Sequence, residues 1–510
     1  MNLSSALKKV LAILLILLLI AVAFRILNGP PDNTQDEQPT DPMTFVVHIP
    51  SYTPVNDTIV AHFGNDLFPM TKIGDATYQL QIFSHGQYRQ GAVLEYGYSR
   101  GGFIPFGEPG LTTPDFPRSV TIDFGTTQED TVTAWKWYPS SPQEYSFSSQ
   151  ALNTSIAPRS EFWRGAMMVD FWDPSFSLQF NSTIQHFKDL GYEWLGLAPP
   201  WDFADQDVPI LSNHANTSVP SYTDDGLREH IKAFKQAGFK VYLDLQVCCN
   251  FANTSNRDTT WWNNWYSTYK DFVKVHADLA RETGVDAISL KSGLFGQDLP
   301  GNYAGPVSIN ASQQWDEILS IARTSQAKIG VDSYSWGANY DDLPLNEIYP
   351  LPRFPASITD QLDFFCINIF GGVVNTTTAT QAEYNAGMER IFTQMELIHN
   401  DTGLPIILPQ VAFSSANGSG LDKGSETFYT FGPPDEVPVT YNATQQAMIY
   451  EALMLQVAKR DYIIGVFPFG TWYVDAPLTV DLSIRGKLAE QVLTTWYQQF
   501  PSDLDMIMNR

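Results

Sequence analysis

The sequence is poor in cysteine and in basic residues, and each shortage excludes a class of protein. Its three cysteines, Cys248, Cys249 and Cys366, lack the spacing of a zinc site, and adjacent cysteines seldom bridge each other. The 30 Lys and Arg against 55 Asp and Glu give a formal charge of −25, which repels nucleic acid and anionic lipid surfaces. We therefore expect buried thiols, no metal site, no cofactor and no nucleic-acid partner, whereas a neutral polymer such as a polysaccharide fits this charge.

An uncharged apolar run follows two lysines at the N-terminus and extends from Val10 to Phe24. This is the layout of a secretory signal peptide, and Ala21-Val-Ala23 fits a cleavage site. The run is also nearly long enough to stay as a membrane anchor with the lysines inside, so residues 1–28 are predicted to be one or the other. Residues 29–42 contain nothing apolar to bury and predict a flexible linker. Either way we expect an extracytoplasmic protein, secreted or anchored in a membrane at the cell surface.

Export gives meaning to the ten Asn-x-Ser/Thr triplets that follow the N-terminal apolar run, which exceed what this Ser/Thr content would scatter by chance. They are acceptor sites for N-glycosylation in a suitable host, and they are equally consistent with a Thr/Ser-rich surface that carries no glycan. In both cases the triplets should be exposed. They begin at Asn56, Asn153, Asn181, Asn216, Asn253, Asn310, Asn375, Asn400, Asn417 and Asn442.

Residues 43–140 contain six short segments rich in β-branched and aromatic residues, separated by Gly, Pro, Asn and Asp. This pattern predicts a small antiparallel β-sandwich. The segments begin at Thr44, Thr58, Tyr78, Ala92, Ser119 and Asp130.

The stretch TFVVHIPSYTPVNDTIVAHFGN, followed by LEYGYSRGGF and DTVTAW, resembles the starch-binding type of carbohydrate-binding module. Such modules stack sugar faces on exposed aromatic rings. The resemblance implies that Tyr96, Tyr98, Phe103 and Phe106 could form a sugar platform. Gly97 departs from it, because members of the family usually carry a lysine there.

Residues 160–502 alternate apolar strands with amphipathic helices, which indicates βα units around a parallel sheet. Eight units over this length fit a closed (β/α)8 barrel, an α/β fold, better than an open doubly wound sheet. The strands are predicted to begin at Gly165, Trp194, Lys240, Asp286, Lys328, Asp363, Pro405 and Ile463.

Aromatic and polar side chains gather where these strands end, which is the edge of a barrel that carries its chemistry. Trp and Tyr stack on sugars, and Asp, Asn and Gln bind hydroxyl groups by hydrogen bonds. Together these residues predict a sugar cleft. Its candidate binding residues are Trp172, Trp201, Asp202, Tyr334, Trp336, Asn368, Gln410 and Trp472.

The barrel segment resembles glycoside hydrolases of the large (β/α)8 clan, particularly mannanase-type barrels. The resemblance rests on YTDDGLREHIKAFKQAGFKVYLDLQV, on LPIILPQVAF and on the ending DLSIRGKLAEQVLTTWY. In that clan one glutamate after the fourth strand is the acid/base and another at the end of the seventh is the nucleophile, because retention of configuration needs two nearby carboxyl groups. Here the matching positions hold Gly293 and Gln410, so the resemblance implies a barrel without the standard mechanism.

Three interpretations follow. In the first, the barrel binds a polysaccharide without cutting it, since a carboxamide cannot become a glycosyl ester and glycine has no proton to give. In the second, it hydrolyses or transfers sugars with other carboxylates, of which Asp332 and Asp244 are the best candidates. In the third, it is a structural protein of the cell surface.

Overall fold

The computed structural model describes most of the chain. The residues that it describes are 41–112, 115–141, 147–168, 174–213, 223–247, 257–292, 294, 298, 309–337, 343–344, 356–421 and 440–501. No helix within those ranges is long and apolar enough to span a membrane, and the apolar run at the N-terminus lies outside them.

The N-terminal part forms two four-stranded sheets that share one apolar core. The sheets run in the orders β4-β5-β1-β8 and β3-β2-β6-β7, and all pairs are antiparallel except β1 and β8, which are parallel. Alternate residues of β1 are buried, as expected of a strand with one face on a core. The strands are β1 (Met43–His48), β2 (Ile59–Phe63), β3 (Asp66–Pro69), β4 (Thr71–Gly74), β5 (Thr77–Ile82), β6 (Val93–Arg100), β7 (Arg118–Thr121) and β8 (Thr127–Thr131).

His62 on β2 is buried in the sandwich, where its Nε2 lies 2.6 Å from Ser99 Oγ. Burial lowers the pKa of His62 to about 4, against 6.5 for an exposed histidine. Between these two values the unfolded chain binds a proton that the folded chain does not, so the free energy of unfolding falls as the pH falls. We expect a loss of about 3 kcal/mol between pH 7 and pH 4 from this residue.

Urea denaturation of the parent chain and of His62→Gln at pH 7, 6, 5 and 4 measures this loss. Glutamine cannot titrate, so its contribution to stability does not change over this range. The parent chain should therefore lose stability relative to His62→Gln as the pH falls from 7 to 4. A difference that stays constant from pH 7 to pH 4 would contradict the expected linkage.

The C-terminal part is a closed barrel of eight parallel strands, as the sequence predicts. The order is β14-β13-β10-β9-β19-β18-β17-β15, and β15 pairs with β14 to close the ring. The barrel strands are β9 (Trp163–Met167), β10 (Trp194–Leu197), β13 (Lys240–Gln246), β14 (Ala287–Lys291), β15 (Lys328–Trp336), β17 (Phe364–Ile369), β18 (Ile406–Val411) and β19 (Ile463–Pro468). Outside this ring, β11 (Trp201–Asp205) and β12 (Ile210–Asn213) form a hairpin, and β16 (Leu343–Pro344) pairs with β15.

Helices connect the barrel strands, and several of them have capping residues at their ends. Asp258 accepts a hydrogen bond from the backbone of Trp261 at the start of the longest helix, and Gly284 ends it with a φ of 74°. The α-helices are α1 (Phe180–Asp189), α2 (Asp224–Gln236), α3 (Thr259–Thr283), α4 (Ala311–Arg323), α5 (Ala356–Thr359), α6 (Gln381–Thr402), α7 (Ala443–Lys459) and α8 (Leu488–Tyr497). Short 3-10 helices lie at Ile104–Phe106, Ala151–Asn153 and Pro174–Gln179.

The sandwich packs directly against the barrel through a junction of buried polar and aromatic contacts. Arg100 is fully buried there, and its Nε lies 2.6 Å from Asp57 while its Nη2 donates to the carbonyl of Asp475 at 2.9 Å. Burial raises the pKa of Asp57, and Arg100 opposes that rise. Thr58 adds a hydrogen bond from its hydroxyl to the carbonyl of Leu178 at 2.9 Å.

Candidate functional site

The inner wall of the barrel carries a hydrogen-bonded group centred on Gln410 and Asp244. Gln410 Nε2 donates to Asp244 Oδ2 and to Gln246 Oε1, both at 2.9 Å. Ser289 donates to the other oxygen of Asp244 at 2.7 Å, and the Tyr242 hydroxyl lies 2.5 Å from Ser289. Strand alternation brings these side chains together, because residues 242, 244 and 246 of β13 point inward beside 289 of β14. Asp244 is thus held in an internal network.

A second group lies on the neighbouring strands and joins a carboxylate to a cation. Asn368 Nδ2 donates to Asp332 Oδ1 at 2.7 Å, and Lys291 Nζ lies 3.8 Å from Asp332 Oδ2. All three side chains are buried. Lys291 is therefore a buried cation beside this carboxylate. Ion pairing in this setting holds Asp332 in place rather than leaving it open to solvent.

The charges of Asp244 and Asp332 both affect the pKa values of Tyr242 and Cys366. Burial raises the pKa of Tyr242 well above its usual value, and the charges of Asp244 and Asp332 raise it further. Burial also raises the pKa of the Cys366 thiol, with the same two carboxylates adding to the effect. Cys366 is a free, buried cysteine, whereas Cys248 and Cys249 lie outside the described residues.

Two predicted sugar-binding residues lie on the β11–β12 hairpin instead of the inner wall. Trp201 is half-buried, its Nε1 donates to Asp224 Oδ1 at 2.8 Å, and its ring packs 5.5 Å from that of Phe272. Asp202 is buried beside it and accepts from the backbone of Phe203 at 2.6 Å. Trp172 and the acid/base position, Gly293, lie outside the described residues.

Tyr334 and Trp336 do not lie where the predicted sugar cleft needs them, because they pack toward the helices and away from the barrel interior. A β-bulge after Asp332 places two residues of β15 opposite one residue of β17, which reverses the facing of the residues that follow. Tyr334 therefore packs against Phe365, and Trp336 donates to the carbonyl of Gly372 at 3.2 Å. Trp336 also lines a cavity of about 440 Å³ on that side of the barrel.

The sugar-binding prediction for Trp472 is also wrong. Its side chain is buried in the junction between sandwich and barrel and offers no ring face to a sugar. Its ring stacks on Phe103 at 5.7 Å and meets Phe106 edge-on at 5.3 Å. Its Nε1 donates to Asp481 Oδ2 at 2.6 Å. Phe103 and Phe106 are buried by the same contacts, so they cannot form the exposed platform that the starch-binding resemblance implies.

Tyr96 and Tyr98 also cannot form the expected sugar platform, but for a different reason. Both rings lie in the sandwich core, and both hydroxyls donate to Asp130 Oδ2, at 3.0 and 2.7 Å. Gly97 between them faces the other way, where an added Cβ would come within 2.8 Å of Leu111. The position at which the resembling family carries a lysine therefore has no room for a side chain unless Leu111 moves.

A groove of about 800 Å³ lies elsewhere on the sandwich. Its lining includes Tyr88, Phe116, Asp66 and Gln87, and both Tyr88 and Gln87 donate to Asp66 Oδ2. Sequence reasoning missed this groove, because its residues come from six separate segments.

Sequence reasoning also missed two members of the inner wall, Tyr242 and Ser289, as candidate site residues. Their alternate spacing on β13 and β14 was the available signal, since every second residue of a barrel strand faces inward. It missed Asp298 as well, a buried carboxyl after the fourth strand that accepts from Ser292 at 2.8 Å. Burial raises the pKa of Asp298 to about 6. Its backbone carbonyl accepts from Tyr266 of α3 and Trp315 of α4, so Asp298 is held against these two helices.

Within the described part of the chain, no group of three or more His, Cys, Asp or Glu residues is arranged to hold a metal ion.

Comparison with known proteins gives matches to solved structures alone. No protein-family model and no curated protein matches the sequence. A GH113 β-1,4-mannanase structure is similar at a TM-score of 0.48 and 18% identity, covering 66% of this chain and 99% of that one. The GH113 β-mannanase from Alicyclobacillus acidocaldarius has a TM-score of 0.46 at 16% identity, with 66% and 97% covered.

The family 1 β-glucosidase from Thermotoga maritima has a TM-score of 0.38 at 11% identity, with 68% of this chain and 98% of that one covered. The closed barrel of this protein is shown by its own strand pairings.

Proposed function

We propose that this protein is an extracytoplasmic carbohydrate-binding protein whose barrel holds a glycan without the standard two-glutamate hydrolysis. The observation that carries the proposal is the environment of Gln410. Its amide nitrogen donates to Asp244 and Gln246, so the group is fixed as a hydrogen-bonding carboxamide at the position where the resembling hydrolases need a nucleophile.

The two carboxylates named as substitutes are committed to internal partners. Asp244 accepts from Ser289 and Gln410, and Asp332 accepts from Asn368 beside Lys291. A catalytic carboxylate must reach the reacting sugar, either directly or through one water. Their burial favours a supporting role.

The chemistry of the inner wall suits a ligand rich in hydroxyl groups. Amides both donate and accept hydrogen bonds, which is what neutral sugars offer in return. Gln246 is the most exposed member of the Gln410 group at 8%, and Gln410 follows at 3%. A glycan entering at the carboxyl ends of the strands would therefore meet Gln246 first.

The test is a binding panel with a product assay on the full chain. Insoluble starch and β-mannan are included because the two resemblances point to them, with other neutral polysaccharides beside them. We expect at least one to retain the protein with no release of reducing ends. Gln246→Ala should weaken that binding about tenfold, the effect of one lost hydrogen bond. Gln185→Ala, an exposed glutamine on α1, is the matched control and should bind normally.

Two outcomes would replace the proposal. Release of reducing sugar that is abolished by Asp332→Asn would make the barrel a hydrolase with unusual carboxylates. No retention by any polysaccharide would favour a structural role at the cell surface.

For the sandwich, the proposal places a glycan in the groove lined by Tyr88 and Phe116, since the four predicted platform residues are buried. Phe116 is half-buried and supplies an aromatic ring to the groove, and Gln87 supplies an amide. Phe116→Ala should reduce retention on starch while leaving binding to the barrel's ligand unchanged. Equal retention of variant and parent on starch would remove the groove from the proposal.

A further inference from the structure

The asparagines of this chain are distributed as a modified surface would require. Eleven of its 25 asparagines begin an Asn-x-Ser/Thr triplet: Asn2 precedes the N-terminal apolar run, and the other ten follow it. Only 75 of the 510 residues are Ser or Thr, so random placement would give about four such triplets. We infer that the chain carries N-linked glycans at its exposed triplets, which nothing in the glycan-binding proposal requires.

The structure supports this inference by where it puts the triplets. Eight of the ten lie among the described residues; seven of these asparagines are exposed, and Asn442 is half-buried. The exposed ones are scattered over both the sandwich and the barrel, at Asn56, Asn153, Asn181, Asn310, Asn375, Asn400 and Asn417. None of the eight is in a core, so folding leaves room for a glycan at nearly all of them.

The side-chain amides of the exposed residues are mostly uncommitted within the described structure. Asn310 uses its oxygen to cap α4 by accepting from the backbone of Gln313 at 3.2 Å, which leaves its nitrogen for another bond. Asn417 and Asn442 differ, because the Asn442 Nδ2 donates to the Asn417 Oδ1 at 2.5 Å. Two bulky glycans cannot both leave from amides in contact, so we expect at most one of this pair to be modified.

The chemistry needs a sugar donor outside the chain, namely an oligosaccharide carried on a lipid phosphate in the export compartment. The asparagine Nδ2 bonds to the anomeric carbon of the oligosaccharide, and the bond from that carbon to the phosphate oxygen breaks. The amide loses one proton, and the lipid phosphate leaves with the electron pair. No oxidant or reductant takes part. The inference therefore requires export, which the N-terminal apolar run predicts.

The experiment is peptide mapping by mass spectrometry of the full chain isolated from the cells that produce it. We expect saccharide-bearing peptides at Asn56, Asn153, Asn181, Asn310, Asn375 and Asn400. Exposed asparagines without the triplet, Asn65, Asn263 and Asn264, are the internal controls and should be unmodified. Recovery of all six predicted sites in unmodified form would overturn the inference.

A variant pair then ties the added mass to one triplet. Asn375→Gln keeps a side-chain amide but should lose the glycan at this position, whereas Thr377→Ser keeps the triplet and should retain it. Loss of the saccharide in both variants, or in neither, would contradict the assignment. Glycans on Asn417 and Asn442 in the same molecule would overturn the exclusion argued for that pair.

Discussion

At pH 7 the free energy of unfolding of the Gln410→Glu variant is expected to be about 3 kcal/mol lower than that of the parent chain. The substitution restores the glutamate of a retaining glycosidase, but it places a second carboxylate against Asp244 Oδ2, which Gln410 now contacts at 2.9 Å. Both groups are buried, so their repulsion is poorly screened. Like charges in one site raise the pKa of one partner strongly, and each unit of that rise costs about 1.4 kcal/mol.

The loss should depend on pH in a defined direction. A carboxyl whose pKa is raised in the folded chain holds a proton that the unfolded chain has released, so the stability of the variant falls as the pH rises through that raised value. At pH 5 one shared proton can restore a hydrogen bond between the two carboxyls. Urea denaturation at pH 5 and pH 7 should therefore show a smaller difference from the parent chain at pH 5.

The matched control exchanges the two groups. In Gln410→Glu with Asp244→Asn, a carboxylate again faces an amide, and most of the lost stability should return. Equal stability of Gln410→Glu and the parent chain at pH 7 would show that Asp244 does not sense residue 410. We expect no reducing sugar from the exchanged variant, because residue 293 still supplies no acid.

The barrel was predictable because its signal is local and repeated. Each barrel strand is buried on both faces, so it reads as a short apolar run, and the glycine and capping residues of helices such as α3 mark the boundaries. The strands β3 and β4 were missed since they are short, with no buried residue at all. The parallel pairing of β1 with β8 was also missed, because the sequence of a strand does not show which strand it pairs with.

The candidate site was predicted in part, and its failures have physical causes. Asp244, Asp332, Asn368 and Gln410 do lie in the barrel interior as two hydrogen-bonded pairs, since strand ends of a parallel barrel meet at one edge. Tyr334 was misjudged because one extra residue in β15 reverses the side that a period of two predicts.

The aromatic residues of the sandwich failed for another reason. Tyr96 and Tyr98 have the composition of a sugar platform, yet their hydroxyls bond to Asp130, more than thirty residues away in sequence. Phe103 and Phe106 are covered by Trp472 of the barrel. A local sequence pattern does not show whether a distant part of the chain buries a side chain. Aromatic residues on short strands are therefore equally consistent with an exposed surface and with a core.

Trp472→Ala is expected to lower the free energy of unfolding by about 3–5 kcal/mol, the range for removing a large buried aromatic ring. The substitution opens a cavity between Phe103, Phe106 and the barrel, and it removes the indole N–H from Asp481. Lys487 still contacts Asp481 at 2.7 Å, so the carboxylate keeps its ion pair. The damage should therefore come mainly from lost packing.

Trp472→Phe separates packing from hydrogen bonding, because it keeps most of the ring and removes only the N–H. We expect a smaller loss of about 1–3 kcal/mol. Adding Phe103→Leu to each chain measures how far the sandwich and barrel depend on each other. That change should cost less in the Trp472→Ala background, since the partner ring is already gone.

The same variants decide between the two roles of Trp472. A residue that stacks on a sugar from the solvent side would lose glycan binding on substitution, with little change in the urea midpoint. A residue that joins the two domains would lose stability, while the folded fraction would bind glycan with unchanged affinity. The burial of the ring under Phe103 and Phe106 favours the second result. Weaker binding by a Trp472→Phe variant of unchanged stability would return this residue to the sugar cleft.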